Sequence, residues 1–543
     1  MFKRFGFVSI ILFFGLFFLA LFFKYHYEVI SYPYQVEYRE GAHYLVSVAL
    51  SKGHFPFTLA NQPDLSYMYG IVYPLISSFF LQLFGDNISI LRVISALSIL
   101  ISTLYFVRYN LKLKVRSSQI FLSCILFYGI NLFLCIPSAR PDALGYLFFI
   151  LSVFIPFQYS FSKKSLLISL IFALFAFYTK PYFLLSFLIV GSYLFLFESI
   201  IRGIKYLGTY IFTLLASMVL MELFLDVYFL GTLGIQFSES VYDFNHMLTQ
   251  TSFFFKDLFL YLSIVFFTYL IVRLFRNRFL LASTIDTSPF WFDTFLNLRD
   301  FKKPFITNKF KLHFNLYVFI VSFILLTFKL GGHTGQFGVY YIQFLLFPFL
   351  AYLNTIFNHQ EFKKVVFIHL LFLITLYQFT KLLPENKIQD LNKAQIFFNR
   401  IQPNEDVLAS PAVASFLINK NKKVYLSGLT EYSGAIFGMK NNHNMPLFLA
   451  KIKDKLLFAK ISLIEKKVSE NKLYVAQKIK DRKFAYIITD TSIYDDWLIN
   501  KQKLHENYMK KDSFELNMAP SYTKCFLYIY VPKSIKKNQR ASF

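Results

Sequence analysis

From Gly6 to Phe23 the chain runs without a single charged side chain. That length suffices to cross a bilayer as a helix. In hydrocarbon a backbone can satisfy its own hydrogen bonds only as a helix or a closed barrel. Lys3 and Arg4 precede the run, so the positive-inside rule places the N-terminus in the cytoplasm. The same pattern, apolar segments punctuated by short clusters of Lys and Arg, repeats along the chain. Only 16% of the 543 residues are charged and 56% are hydrophobic, whereas a soluble domain carries about a quarter charged residues. The composition is that of a polytopic membrane protein.

The net charge of +25 resembles a nucleic-acid signal only superficially. Much of it sits in short loops, where Lys and Arg set membrane orientation, and no basic stripe interleaved with stacking aromatics lies outside the apolar segments. Membrane lipids, not nucleic acid, are the expected surroundings. The abundance of Phe (72) and Tyr (37) fits a codon bias toward AT-rich DNA and carries no functional weight. Cys124, Cys135 and Cys525 form no CxxC pair and no metal spacing. The first two fall in one expected helix, about 16 Å apart at 1.5 Å per residue, too far to bridge. The first apolar segment is too long for a signal peptide and is read as a span of the mature chain.

Hydropathy and charge thread the chain through the membrane about eleven times. The first span leads to a long outer loop, residues 24–88, in which residues 44–50 and 73–84 are expected to lie on the membrane rather than cross it. Further spans are expected at about 90–107, 119–135, 143–157, up to 178, up to 202, 207–230, before Arg273, before Lys329, before Lys363 and at 365–382. Basic clusters fall on one side at almost every even-numbered exit. From about residue 386 the chain turns polar and Lys-rich. Strands are expected at 407–409, 423–426, 484–489 and 525–531, and helices at 447–480 and 494–508. This alternation predicts a small α/β domain with its own core. The expected fold is a polytopic α-helical membrane region, residues 1–385, followed by an extracytoplasmic α/β domain, residues 386–543. No internal repeat of the kind found in duplicated transporters is evident.

Chemistry-bearing residues gather at outer ends of the segments. Glu37 and Glu40 are three apart, so on a helix they share a face, and an exposed Glu is ionised near neutrality and can act as a base. Arg39 between them can pair with Glu37, and Gly41 leaves room beside Glu40, which favours Glu40. In Arg140-Pro141-Asp142, Pro and Asp suit a helix start. Arg140 does not, and is better understood as a partner of a phosphate or carboxylate. Lys180 ends an apolar segment, where it either snorkels to the interface or clamps a phosphate. His333 lies in the glycine-rich turn 331–338, whose backbone NH groups can meet an anion. No zinc-protease helix, phosphate-binding Gly loop or nucleophile elbow is present. The first loop has no D-x-D, so no cofactor is expected and metal dependence stays open.

Taken together these residues resemble the GT-C superfamily of polyprenyl-phosphate-sugar glycosyltransferases, in the branch of the aminoarabinose transferase-like and protein-mannosyltransferase-like (family 39) enzymes. The resemblance is carried by Glu37-Tyr38-Arg39-Glu40-Gly41, Lys52-Gly53-His54-Phe55-Pro56, Tyr69-Gly70-Ile71-Val72-Tyr73-Pro74, Leu83-Phe84-Gly85, Leu91-Arg92, Ala139-Arg140-Pro141-Asp142 and Thr179-Lys180. It implies a sugar donor on undecaprenyl phosphate or a similar lipid, and a glycan, lipid or protein acceptor at the outer face of a bacterial inner membrane. Catalysis would be an inverting displacement with a first-loop acid as base. Glu40, Glu37 and Asp142 are the catalytic candidates that follow. Arg140, Lys180, His333 and Tyr69 are those for binding the donor. A polytopic transporter or flippase is the alternative, and would place charges mid-span rather than at span ends.

Overall fold

The computed structural model describes residues 2–32, 39–62, 65, 67–135, 138–228, 230–234, 248, 252, 313–327, 342–357, 396–402, 404–409, 413–418, 456–489, 501–517 and 524–533. These residues are mostly helical. In chain order come α1 (Phe2–Ser31), α2 (Glu40–Ser51), α3 (Val72–Phe84), α4 (Ile88–Lys112), α5 (Ser117–Cys135), α6 (Asp142–Gln158), α7 (Lys163–Thr179), α8 (Leu185–Tyr193) and α9 (Ile200–Phe224). After these come α10 (Phe314–Thr327), α11 (Ile342–Phe357), α12 (Ala414–Ile418), α13 (Leu456–Lys480) and α14 (Lys501–Asn507).

Local chemistry sets the helix ends. Asn87 caps α4 by accepting from Ser89 N at 2.9 Å, and Ser162 caps α7 through Ser165 N at 3.3 Å, both with residue types that prefer this position. Gly85 closes α3 at φ +86, in the left-handed region that costs glycine least. Pro181 stops α7: the residue before a proline is pushed out of the helical region, and Lys180 is extended at φ −156, ψ 122.

Among the residues described throughout, three helices are long and apolar enough to cross a membrane: Ile88–Lys112, Pro181–Glu198 and Ile200–Phe224. The expected count of about eleven is not supported. Hydropathy registers apolar content but not where caps, prolines and glycines end a helix, and α3, α6 and the apolar parts of α5 and α10 are shorter. The expected eighth and eleventh spans lie outside the described residues. Helix α3, at 13 residues, is about 20 Å long against a hydrocarbon core of about 30 Å.

The C-terminal part contains a four-stranded sheet in the order β1 (Val407–Ala409), β2 (Tyr486–Thr489), β4 (Lys524–Pro532), β3 (Tyr508–Asn517). β1 and β2 are parallel, with Leu408 opposite Ile487, and the other pairings are antiparallel. A register shift between Lys510 and Asp512 marks a bulge in β3. The strands expected near 407, 486 and 525 are present, and 423–426 lies outside the described residues. Residue 508, expected to end a helix, instead begins β3. Alternating Lys510, Lys511 and Asp512 hide β3 in the sequence, because an edge strand tolerates charge that a central one does not.

The sheet's core, in which Ile464, Val468, Val475 and Ile479 of α13 pack with Leu408, Phe484 and Ile487, runs on into the first loop. Tyr44 and Val48 of α2 share one buried cluster with Phe398, Val407, Phe416 and Ile488. Val46 of α2, with Phe57, Tyr67 and Tyr69, shares another with Leu408, Ile464 and Ile487. A separate and larger core joins α1, α4 to α11, dominated by Phe and Tyr. Thus α2 is wedged between the helical bundle and the sheet.

Candidate functional site

Five charged side chains, Glu40, Arg92, Arg140, Asp142 and Lys180, meet at the N-terminal ends of α4 and α6 and the C-terminal end of α7. Arg92 lies one turn inside α4 and is fully buried, as is Glu40, the first residue of α2. Arg92 Nε donates to Glu40 Oε1 at 3.0 Å and Nη2 to Oε2 at 2.8 Å. Arg92 Nη1 donates to Val29 O at 2.9 Å and also to Tyr32 O. Glu40 Oε1 accepts from Ala139 N at 2.7 Å. One buried pair therefore ties together the end of α1, the start of α2, α4 and the loop before α6.

That loop supplies the second group. Ser95 Oγ of α4 donates to Arg140 O at 3.1 Å, fixing the turn from which Asp142 opens α6. Lys180 Nζ donates to Asp142 Oδ1 at 2.7 Å, and Tyr182 Oη to the same oxygen at 3.0 Å. Arg140 Nε lies 3.2 Å from Asp142 Oδ2. All three charged side chains are less than a tenth exposed. The extended backbone that Pro181 imposes turns Lys180 away from the α7 axis and onto Asp142. Gly145 lets α6 approach the 181–184 turn, where a Cβ would meet the Phe183 ring at 2.2 Å.

Aromatic rings wall the cluster. Lys180 Nζ sits 4.7 Å from the Tyr69 ring centroid and 4.9 Å from that of Tyr182, favourable placements for a desolvated cation. Tyr69 comes this close because Gly70 passes Tyr178, where a Cβ would lie 1.9 Å from the Tyr178 carbonyl oxygen. His43, one turn beyond Glu40, stacks on Tyr69 with centroids 5.4 Å apart, and its Nδ1 is 2.9 Å from Tyr67 Oη. Burial holds its pKa well below the usual 6.5, with Arg140 and then Lys180 and Arg39 acting in the same direction against Asp142.

Of the residues singled out from sequence, Glu40, Tyr69, Arg140, Asp142 and Lys180 come together. Glu40 hydrogen-bonds Ala139, three residues from Asp142, a stretch of chain that spans at most about 11 Å. Glu37 and His333 lie outside the described residues. The expectation that Glu40 stands free does not hold, because Arg92 occupies both its oxygens; a cation buried in α4 requires a counter-charge. Sequence reasoning assigned no role to Arg92, His43, Tyr67 or Tyr182. Arg92, the first charge in α4 and followed by fifteen residues without another, carried the signal, since charges within apolar spans are rare and functional by default. Among the described residues no three His, Cys, Asp or Glu side chains gather as a metal site. Compared with known protein families, proteins of established function and solved structures, the chain matches none.

Proposed function

We propose that the chain is a membrane glycosyltransferase that takes its sugar from a polyprenyl-phosphate donor, and that Arg140 and Lys180 bind the donor phosphate. The observation that carries this reading is the convergence of two cations and a tyrosine hydroxyl on the Asp142 carboxylate. Oδ1 accepts from Lys180 and Tyr182 and Oδ2 faces the Arg140 guanidinium, so the same groups suit an incoming oxyanion. A lipid phosphate is already a good leaving group. The transfer then needs a base to take the acceptor proton, and cations to stabilise charge as it develops on the phosphate. Glu40 is committed to Arg92 and Asp142 to Lys180, so of the three acids singled out in the sequence Glu37 is assigned the base role.

The packing of α2 with residues of the sheet supports a first loop and C-terminal part on the same side of the membrane. That supports an odd number of spans between them and α1's cytoplasmic start, with the site and residues 386–543 on the extracytoplasmic face. The acceptor would be a glycan, lipid or protein of the cell envelope.

The test uses the purified full-length protein in nanodiscs. Undecaprenyl phosphate should bind, and Arg140→Met and Lys180→Met should each weaken it at least about tenfold, the loss of one charge-assisted contact. Radiolabelled sugar should pass from a polyprenyl-phosphate donor to an envelope extract, and Glu37→Gln should stop transfer while sparing binding. Binding that is absent, or indifferent to both cations, refutes the reading. Passage of intact lipid across a vesicle without cleavage would establish the transporter instead.

A further inference from the structure

We propose that His43 reads the sugar: its Nε2 forms a hydrogen bond with a hydroxyl of the glycosyl group carried on the lipid phosphate. The inference rests on the phosphate reading above and adds a residue and a specificity to it.

The ring of His43 is held by three tyrosines. It is stacked on Tyr69, meets Tyr67 and Tyr73 edge-on, and is 2% exposed. Its Nδ1 pairs with Tyr67 Oη. Its Nε2 is buried and has no hydrogen-bond partner among the described residues. Buried polar groups are satisfied in the great majority of cases, so an orphan ring nitrogen held in a rigid aromatic nest calls for a partner that arrives from elsewhere. The position is apt. Tyr69 is flanked by His43 and by the ammonium of Lys180, so the orphan nitrogen is one ring away from a cation assigned to the phosphate. A glycosyl group lies next to its phosphate in the same way.

The chemistry selects a hydroxyl. A phosphate oxygen only accepts, whereas an alcohol both donates and accepts and therefore suits Nε2 in either tautomer of the imidazole. Burial first, and then Arg140, hold its pKa well below the usual 6.5, so the ring complements an uncharged group and leaves the anion to the cations.

The experiment measures binding to the full-length protein in nanodiscs. The probes are undecaprenyl phosphate alone and undecaprenyl phosphate linked to glucose, mannose, galactose or aminoarabinose. At least one sugar-bearing lipid should bind more tightly than undecaprenyl phosphate. His43→Phe keeps a ring against Tyr69 and should reduce that gain on the order of 10- to 100-fold, with undecaprenyl phosphate binding unchanged. His43→Gln, whose amide nitrogen reaches near the Nε2 position, should retain most of the gain. His43→Asn, which reaches only the Tyr67 side, should not. Should His43→Phe fail to fold, the Gln and Asn pair decides. A gain that survives in His43→Phe or His43→Asn, or no gain with any of the four lipids, overturns the proposal. Failure of undecaprenyl phosphate itself to bind overturns the phosphate reading instead.

Discussion

Arg92 and Glu40 meet through two parallel hydrogen bonds, at 3.0 and 2.8 Å, with neither side chain exposed to solvent. The forked guanidinium matches a carboxylate in this geometry, and its remaining nitrogen holds the last turn of α1. Removing one partner of such a pair leaves a charge buried without compensation, at a cost of about 3–5 kcal/mol. Glu40→Gln and Arg92→Met should therefore each lower the midpoint of thermal unfolding in detergent. The double substitution Glu40→Leu/Arg92→Met should recover much of the loss. A Glu40→Gln protein that unfolds normally and lacks only transfer activity would restore Glu40 as the base.

Asp142 competes with any anion for Arg140 and Lys180. Asp142→Asn should raise the affinity for undecaprenyl phosphate by about tenfold or more, since a like charge within contact distance is removed. Equilibrium binding in nanodiscs reads this directly. Weaker binding would mean that Asp142 orients the two cations more than it opposes the ligand.

The pKa of His43 is lowered in the fold, so below pH 6.5 the unfolded chain takes up a proton that the folded protein refuses. Stability contributed by neutral His43 is present above pH 6.5 and declines as the pH falls below it, at up to about 1.4 kcal/mol per pH unit. Unfolding midpoints measured from pH 5 to pH 8 should fall on the acid side in the wild type and fall less in His43→Gln. Equal slopes in the two proteins would show that His43 is not the titrating group.

Gly70→Ala places a methyl group against the Tyr178 carbonyl, and backbone on both sides leaves nothing flexible to yield. The 69–71 segment must move off α7, carrying Tyr69 away from Lys180. Loss of undecaprenyl phosphate binding with a modest fall in stability is the expected outcome. Gly53→Ala is the control: among the described residues nothing lies within 4 Å of the added Cβ, so it brings only the backbone strain of φ +83.

The acids and cations at the helix ends were legible because each is conspicuous against an apolar chain, and Arg140, Asp142 and Lys180 do meet. What sequence could not disclose is pairing. Nothing local says that Glu40 belongs to Arg92, 52 residues on, or that Tyr69 is threaded past α7 by Gly70. The helices of the bundle were placed near their observed positions because apolar runs are long and their caps are local signals. β3 was missed because an edge strand follows the charge pattern of a loop. The shared core was missed because periodicity shows that a face is buried without showing against what.

The wedged position of α2 also has a consequence for how the chain is made. Tyr44 and Phe416 share a buried cluster, yet Phe416 leaves the ribosome about 370 residues later. At roughly 5–20 residues per second the early helix waits on the order of 20 to 75 s for its packing partner. During that interval Tyr44 and Val48 have only the earlier-made members of their cluster, such as Tyr73 and Leu81 of α3 and Leu91 of α4, to cover them. The site next to Glu40 and His43 is therefore completed late in synthesis, and a chain released early carries all five charged groups of the site without the C-terminal packing on α2.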